Sequence, residues 1–103
     1  MASLSDVTVT DNPAELRYEA READRLLGEI RYRTEPGLVV LVHTEVASSA
    51  EGKGIGSKLV AGALDDIRSR GLRVVPVCPF VAAYVRRHSE YADLVAEDPA
   101  TPY

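Results

Sequence analysis

The sequence predicts an α/β domain with a mixed sheet, in which antiparallel N-terminal strands precede a strand–helix–strand crossover and a short C-terminal helix. Two observations predict this class. The first half of the chain alternates polar and apolar residues in short runs between turn-forming residues, which is typical of antiparallel strands. The second half has an apolar run, a glycine-rich turn, a segment with helical spacing and a valine-rich run. This order indicates a right-handed parallel crossover.

Length and composition indicate one small domain spanning residues 1–103. Hydrophobic residues make up 46% of the chain and charged residues 27%, which is ordinary for a soluble globular protein. The formal net charge of −4 argues against nucleic acid as a partner, because nucleic acid requires a basic surface. We expect a monomer or a weak dimer that holds no metal.

The cysteine content and the apolar runs predict a cytoplasmic protein. Cys78 is the only cysteine, so no intrachain disulfide can form and a reducing compartment is the simplest setting. The first residues lack the pattern of a signal peptide. The longest apolar run, residues 38–42, is far too short to cross a bilayer, so we expect no membrane partner.

Three alternating runs separated by turn signals predict the antiparallel strands. In the second run, Leu16 shares a face with Tyr18 and Ala20. The predicted strands are residues 6–10, 15–20 and 26–32, and the predicted turns are residues 11–13 and 21–24.

The strongest predicted strand is Leu38–Val46. Its first residues are apolar on both faces, as expected for a central strand covered on both sides. It becomes polar at His43, Thr44 and Glu45, and polar groups at the end of a central strand often mark a site.

The crossover is predicted as a helix over residues 57–70 followed by a strand over 72–78. Pro76 in that strand indicates an edge, a bulge or a splayed end. A short helix over residues 80–87 has Phe80 and Tyr84 along one side. Residues 88–95 return as a short strand or turn, and residues 97–103 form a loose tail.

The chemistry is expected at the glycine turn, Glu51-Gly52-Lys53-Gly54-Ile55-Gly56-Ser57. Glycines at alternate positions allow left-handed backbone and close approach of a ligand. The following helix directs its unpaired N–H groups and the positive end of its dipole to the same place. These features predict an anion site, most plausibly for phosphate. Neither the P-loop pattern nor the dinucleotide fingerprint fits the spacing of these residues.

The turn resembles the coenzyme A signature of the GNAT N-acetyltransferase superfamily, Gln/Arg-x-x-Gly-x-Gly/Ala. Together with Cys78-Pro79-Phe80, it resembles a small GNAT-like subgroup of about this length. The resemblance implies a reduced GNAT-like domain that binds acetyl-CoA where the fourth and fifth strands splay apart. It assigns the pyrophosphate to the turn and the pantetheine arm to the end of the fourth strand. The implied cofactor-binding residues are Thr44, Glu45, Val46, Lys53, Gly54, Ile55, Gly56 and Ser57.

Two departures from the family pattern are visible. Glu51 stands where larger members carry Gln or Arg, so we expect its carboxylate to point away and Lys53 to supply positive charge. The helical segment that often builds the acceptor pocket is also missing, which leaves the acceptor site open, partial or absent.

Acetyl transfer to an amine requires a base for the amine proton and an acid for the leaving thiolate. His43 is the candidate base, with a strand-end histidine as the structural alternative. Cys78, expected close to His43, is a candidate acetyl acceptor or acid, or simply a small buried hydrophobe. Tyr84 occupies the helix in which many GNAT enzymes place a tyrosine acid, and packing is the alternative.

The predicted function is therefore acetyl-CoA-dependent N-acetyl transfer to a primary amine, either a small molecule or a protein lysine. A coenzyme A or acyl-CoA binding module without efficient catalysis is the alternative. A phosphate-binding interaction domain is the third reading.

Overall fold

A computed structural model of the protein describes residues 6–97, so the predicted tail beyond residue 97 lies outside the described residues. Within them the chain forms a five-stranded sheet in the order β1-β2-β3-β4-β5, with helices packed against it. The elements are β1 Thr8–Asn12, β2 Arg17–Glu22, β3 Arg25–Glu35, β4 Leu38–Val46, α1 Ile55–Ser69, β5 Arg73–Pro76 and α2 Pro79–Arg87, with 3₁₀ turns at Ser48–Ala50 and Ser89–Leu94.

The sheet is mixed, as the sequence predicts. The strands β1 to β4 are antiparallel to their neighbours, and β5 runs parallel to β4 after the α1 crossover. After Ser89–Leu94 the chain returns to the edge of β5, where Val95 bridges Val74 and Ala96 N–H donates to the Val74 carbonyl at 2.8 Å. The predicted α/β class and its crossover are therefore confirmed.

The first hairpin turn lies later in the chain than predicted, and the second is confined to the last two residues of the predicted turn. Strand β1 continues through Asp11 and Asn12, because Asp11 accepts a hydrogen bond from the Tyr32 hydroxyl at 2.7 Å. Leu16, predicted in the strand, is instead a turn residue with φ of 53° and is 49% exposed. Ala23, also at positive φ, begins the two-residue turn between β2 and β3, as tight hairpins require.

A β-bulge lies in β4 just before its polar end. Arg31 is opposite His43 and Tyr32 is opposite Leu41, so Val42 is an extra residue without a partner on β3. A bulge twists the strand and redirects the side chains that follow it. This places the polar residues of β4 at an irregular point of the sheet, as is common next to functional sites.

Both predicted helices are present, and α1 starts earlier than predicted. Helix α1 begins at Ile55, two residues earlier than predicted, because Gly54 serves as its left-handed N-cap. Helix α2 begins at Pro79 and buries Val81 and Val85, while Phe80 is 46% exposed. The side of α2 that carries Phe80 is therefore not its buried side.

Strand β5 ends at Pro76, which agrees with the predicted splayed end. Proline has no N–H to continue the ladder. Val77 N–H turns back to the Val75 carbonyl, whereas Cys78 N–H donates to the carbonyl of Leu41 on β4 at 2.9 Å. The bond from Cys78 to Leu41 places the start of α2 next to the middle of β4.

One face of the sheet carries the main core. Apolar side chains of both helices and of the strands form a single cluster that includes Ile30, Leu41, Leu59, Leu64 and Val81. Hydrogen bonds between tyrosine hydroxyls and carboxylates of α1 connect this helix to the sheet and to the segment after α2. They join Tyr18 to Asp66 at 2.7 Å and Tyr91 to Asp65 at 2.8 Å.

The opposite face carries alternating charges on β2, β3 and β4. Glu19 receives hydrogen bonds from Arg17, Arg21 and Asn12. The Oε2 atom of Glu29 lies 3.2 Å from Arg31 Nε, in an ion pair whose geometry falls short of a hydrogen bond. We call this surface the charged face.

Candidate functional site

The glycine turn forms the uncapped N-terminal end of helix α1. Gly52 and Gly54 have φ of 79° and 77°, in the left-handed region that favours glycine. No side chain caps the helix, and its first intrahelical bond runs from Lys58 N–H to the Gly54 carbonyl at 3.1 Å. The N–H groups of the first helical turn therefore remain available to a ligand, at the positive end of the helix dipole.

A cleft of about 310 Å³ lies beside this turn. Part of its lining is the turn itself, and part is an apolar wall from β4, the 3₁₀ turn and α2. The lining residues are Val46, Ala50, Glu51, Gly52, Gly54, Ile55, Gly56, Ser57 and Phe80. The cleft thus combines backbone donors with apolar surface, which suits a ligand that has both an anionic and an aliphatic part.

The predicted cofactor residues separate into two groups. Val46 and the turn residues from Gly54 to Ser57 line the cleft. Thr44, Glu45 and Lys53 do not; Lys53 is exposed between two left-handed glycines. Glu51, whose carboxylate is predicted to point away from the ligand, is also among the lining residues.

Glu45 lines a smaller cavity of about 190 Å³, together with Glu29 and the first residues of β3. Val46, at the end of β4, lines both spaces.

The polar end of β4 presents its side chains to opposite faces of the sheet. Thr44 faces the core, and its Oγ1 lies 3.3 Å from the sulfur of Cys78. His43 and Glu45 point to the charged face, where His43 Nε2 lies 3.1 Å from Glu45 Oε1. Strand alternation explains the separation, because successive residues point to opposite faces.

His43 and Cys78 are therefore not brought together by a described contact. The Cys78 side chain is buried at the N-terminus of α2, while that of His43 is 57% exposed. Thr44, rather than His43, is the neighbour of the thiol. The sequence places both residues at the ends of adjacent strands but does not reveal which face each occupies.

Tyr84 faces the segment after α2 and is not among the residues that line the cleft. Its ring stacks on His88 at 3.8 Å and lies 6.2 Å from the ring of Tyr91. Burial, together with the charges of Glu90 and Asp65, raises the pKa of Tyr84, so its phenol stays protonated at neutral pH.

Phe80 is a cleft residue that the sequence reasoning missed. It was predicted only to share a side of the helix with Tyr84, yet its ring lies over Gly56 and forms part of the apolar wall. One signal could have identified it. Val81 and Val85 already form an apolar i, i+4 pair for the core, which leaves Phe80 on a different side of α2.

The fold and the cleft define a small α/β domain with an uncapped helix N-terminus and an apolar wall beside the end of a bulged inner strand. A family model for GCN5-related N-acetyltransferases matches residues 17–94, well over half of the chain, and the protein belongs to this family. The NMR solution structure of a GCN5-like protein from Staphylococcus aureus has the same fold, with a TM-score of 0.67. The match covers 91% of this chain and 92% of that chain at 22% identity, which is evidence for the fold alone.

The predicted family and the reduced α/β architecture are thus confirmed. Across residues 6–97, neither helix is long and apolar enough to span a membrane. In the same range, His, Cys, Asp and Glu side chains form no group of three that could hold a metal ion.

Proposed function

We propose that the protein transfers an acetyl group from acetyl-CoA to a primary amine. The observation that carries the proposal is the cleft, in which unpaired N–H groups of α1 adjoin an apolar wall that ends at the bulged strand. Acetyl-CoA is the acyl donor that this family generally uses, and its pyrophosphate and aliphatic arm match the two parts of the cleft.

The turn residues hold the anionic part of the substrate in this proposal. The amides of Ile55, Gly56 and Ser57 donate to the pyrophosphate, and the left-handed glycines let it approach the backbone closely. Glu51 lines the same cleft, so the exposed ammonium of Lys53 is needed to offset its negative charge. Val46 and the backbone near Thr44 and Glu45 accommodate the pantetheine arm.

His43 acts as the general base on the charged face. The Glu45 carboxylate holds the Nε2–H tautomer, which leaves Nδ1 free to accept the proton of the amine. Because both side chains are more than half exposed, an amine reaches them directly from solvent. An open face of this kind suits either a small amine or the lysine of a protein.

Between the two predicted acids, we favour Cys78 over Tyr84. Cys78 sits at the N-terminus of α2 between β4 and β5, where the Thr44 hydroxyl contacts its sulfur. The thiol protonates the leaving thiolate, or accepts the acetyl group in a covalent route. Tyr84 stacks on His88 and faces away from the cleft, which suits packing.

A coenzyme A binding module without efficient catalysis is the second candidate. The observation that favours it is the placement of His43 and Cys78 on opposite faces, because a base and an acid that cannot meet at one substrate give little rate enhancement.

Calorimetric titration with acetyl-CoA, followed by an assay of free thiol release with a panel of amines, tests these candidates. The site variant is Gly52→Glu and its matched control is Gly37→Glu. Both glycines have positive φ and open space where a Cβ would lie, so the two variants carry the same backbone strain. Only Gly52 lines the cleft.

We expect Gly52→Glu to abolish acetyl-CoA binding and Gly37→Glu to preserve it. Equal affinities in the two variants would overturn the site. Binding without thiol release from any amine supports the binding module. Thermal stabilisation by inorganic phosphate, with none by acetyl-CoA, would support a phosphate-binding domain. It would refute both acetyl transfer from acetyl-CoA and the coenzyme A binding module.

A further inference from the structure

Phe80 is an exposed aromatic residue in a position that its own fold does not require. Its side chain is 46% exposed, whereas Val81 and Val85 anchor α2 in the core. Exposed aromatic surface is unfavourable in water and is often retained where a ligand covers it. The same ring forms part of the wall of the cleft.

The ring rests directly on Gly56 in the first turn of α1. A Cβ on Gly56 would lie 2.8 Å from Phe80 Cζ and 3.2 Å from Cε1. Real Cβ atoms do not approach an aromatic carbon this closely, so any side chain at this position would displace the ring.

Gly56 does not need the backbone freedom of the other glycines in the turn. Gly52 and Gly54 have positive φ, whereas Gly56 lies inside α1 with ordinary helical geometry. Its lack of a Cβ therefore serves the approach of the Phe80 ring. A phosphate contact to the Gly56 amide would be equally available with alanine in that place.

The ring occupies the apolar part of the cleft, next to the helix end that accepts the anion. Val46, Ala50 and Ile55 line the same space. In coenzyme A, the second carbon after the pyrophosphate bears a geminal dimethyl group. An apolar wall beside the helix end matches that order of charge and hydrocarbon.

We propose that Gly56 and Phe80 form one coupled clamp for the pantetheine arm, an inference that rests on the proposed function. Gly56 seats the ring, and the ring packs against the branched hydrocarbon next to the pyrophosphate. The third glycine of the turn then acts on the cofactor through Phe80 rather than through the phosphate.

A double-mutant cycle tests the clamp, with affinities measured by calorimetry for Gly56→Ala, Phe80→Ala and the double variant. The probes are coenzyme A, 4′-phosphopantetheine and adenosine 3′,5′-bisphosphate. Gly62→Ala is the matched control, because a Cβ there would meet Val9 Cγ1 at 2.7 Å, elsewhere along the same helix.

We expect Phe80→Ala to weaken coenzyme A and 4′-phosphopantetheine by about tenfold and to leave the bisphosphate unchanged. Gly56→Ala should produce a similar loss in the wild-type background and less than about twofold in the Phe80→Ala background. Gly62→Ala should lower stability without changing any of the three affinities.

Equal losses from Gly56→Ala in both backgrounds would overturn the clamp, and so would a loss of bisphosphate affinity in Phe80→Ala. If Gly56→Ala fails to fold, the three affinities of Phe80→Ala decide the matter alone. A wild-type protein that binds none of the probes refutes the proposed function itself. A wild-type protein that binds coenzyme A without coupling refutes only the clamp.

Discussion

The two faces of the sheet differ in what holds them together. On the core face, apolar side chains of five strands and two helices interdigitate, and tyrosine hydroxyls bind carboxylates of α1. On the charged face, arginines and glutamates pair along and across β2 and β3. Burial of apolar area supplies most of the stability of such a domain, while exposed ion pairs contribute little.

This contrast indicates a division of tasks. The core face fixes the glycine turn and Cys78 in a rigid setting, whereas His43 and Glu45 stand on the charged face within reach of solvent. Substitutions on the charged face should therefore lower the free energy of unfolding less than substitutions on the core face. If His43 is the base, its loss should instead affect turnover.

The largest effect on stability is expected from Leu64→Ala. Leu64 is fully buried in the cluster between α1 and the sheet, and its truncation leaves a cavity. We expect the free energy of unfolding in urea to fall by about 2–5 kcal/mol. Leu16→Ala is the control, because Leu16 is 49% exposed, and its loss should be below about 1 kcal/mol. Similar losses in the two variants would contradict the assignment of the core.

Glu19 is the exception on the charged face, because it is a buried carboxylate. Hydrogen bonds from Arg21, Asn12 and Arg17 outweigh the cost of burial and hold its pKa at about 2, below the ordinary 4.5. Its folded pKa is lowered, so its stabilising contribution is complete above about pH 4.5 and is lost as the pH falls toward 2.

Glu19→Gln should therefore lower the free energy of unfolding at pH 7 by about 2 kcal/mol, because three charge-assisted donors lose their acceptor charge. The difference from wild type should shrink as the pH falls below 4.5. Urea titrations between pH 7 and pH 2.5 measure both effects. Glu35→Gln, at a pair that is more than a third exposed, is the control. A difference that stays constant with pH would refute the lowered pKa.

A smaller effect is expected from Tyr18→Phe on the core face. The variant removes the hydroxyl that donates to Asp66 at 2.7 Å, while Asp66 keeps its ion pair with Arg70 at 3.0 Å. We expect a loss of about 1 kcal/mol in the free energy of unfolding.

The control for Tyr18→Phe is Tyr84→Phe, since the described residues provide no hydrogen-bond partner for the Tyr84 hydroxyl. That variant should unfold like wild type and, if Tyr84 only packs, should also retain full turnover. Loss of turnover in it would return Tyr84 to the role of catalytic acid.

The sequence was sufficient for the order of the elements and for the left-handed glycine turn before α1. Alternation and helical spacing depend only on which face each side chain buries, so β4, α1 and the crossover followed directly. The hairpin turns could not be located from local signals, because Asp11 is held in β1 by Tyr32, which is distant in the sequence. Leu16 and Ala23 adopt positive φ although neither is a glycine, so the sequence carries no signal for these turn positions.

The site was predictable only where it depends on the backbone. The glycines encode their own geometry, so the left-handed turn at the start of α1 could be identified in advance. The placement of His43 and Cys78 on opposite faces of the sheet could not be predicted. It depends on which face of β4 the neighbouring strand and helix approach. Phe80 was missed for a related reason. Its ring fits against α1 only because Gly56, on that helix, has no Cβ.

The smallest effect on stability is expected at His43, where the contrast between the faces can be tested most sharply. His43 and its cross-strand neighbour Arg31 both have side chains that are 57% exposed. His43→Ala and Arg31→Ala should each change the free energy of unfolding by less than about 0.5 kcal/mol. His43→Ala alone should lower turnover with a primary amine by roughly 100-fold or more, as loss of a general base does.

Because the charged face is open at His43, added imidazole should restore part of the activity of His43→Ala and none of any loss in Arg31→Ala. Equal turnover in wild type and His43→Ala would remove His43 from the chemistry and leave Cys78 as the group to test. Equal losses in the two variants, without rescue, would mean that the charge of this face positions the amine and that no single base acts on it.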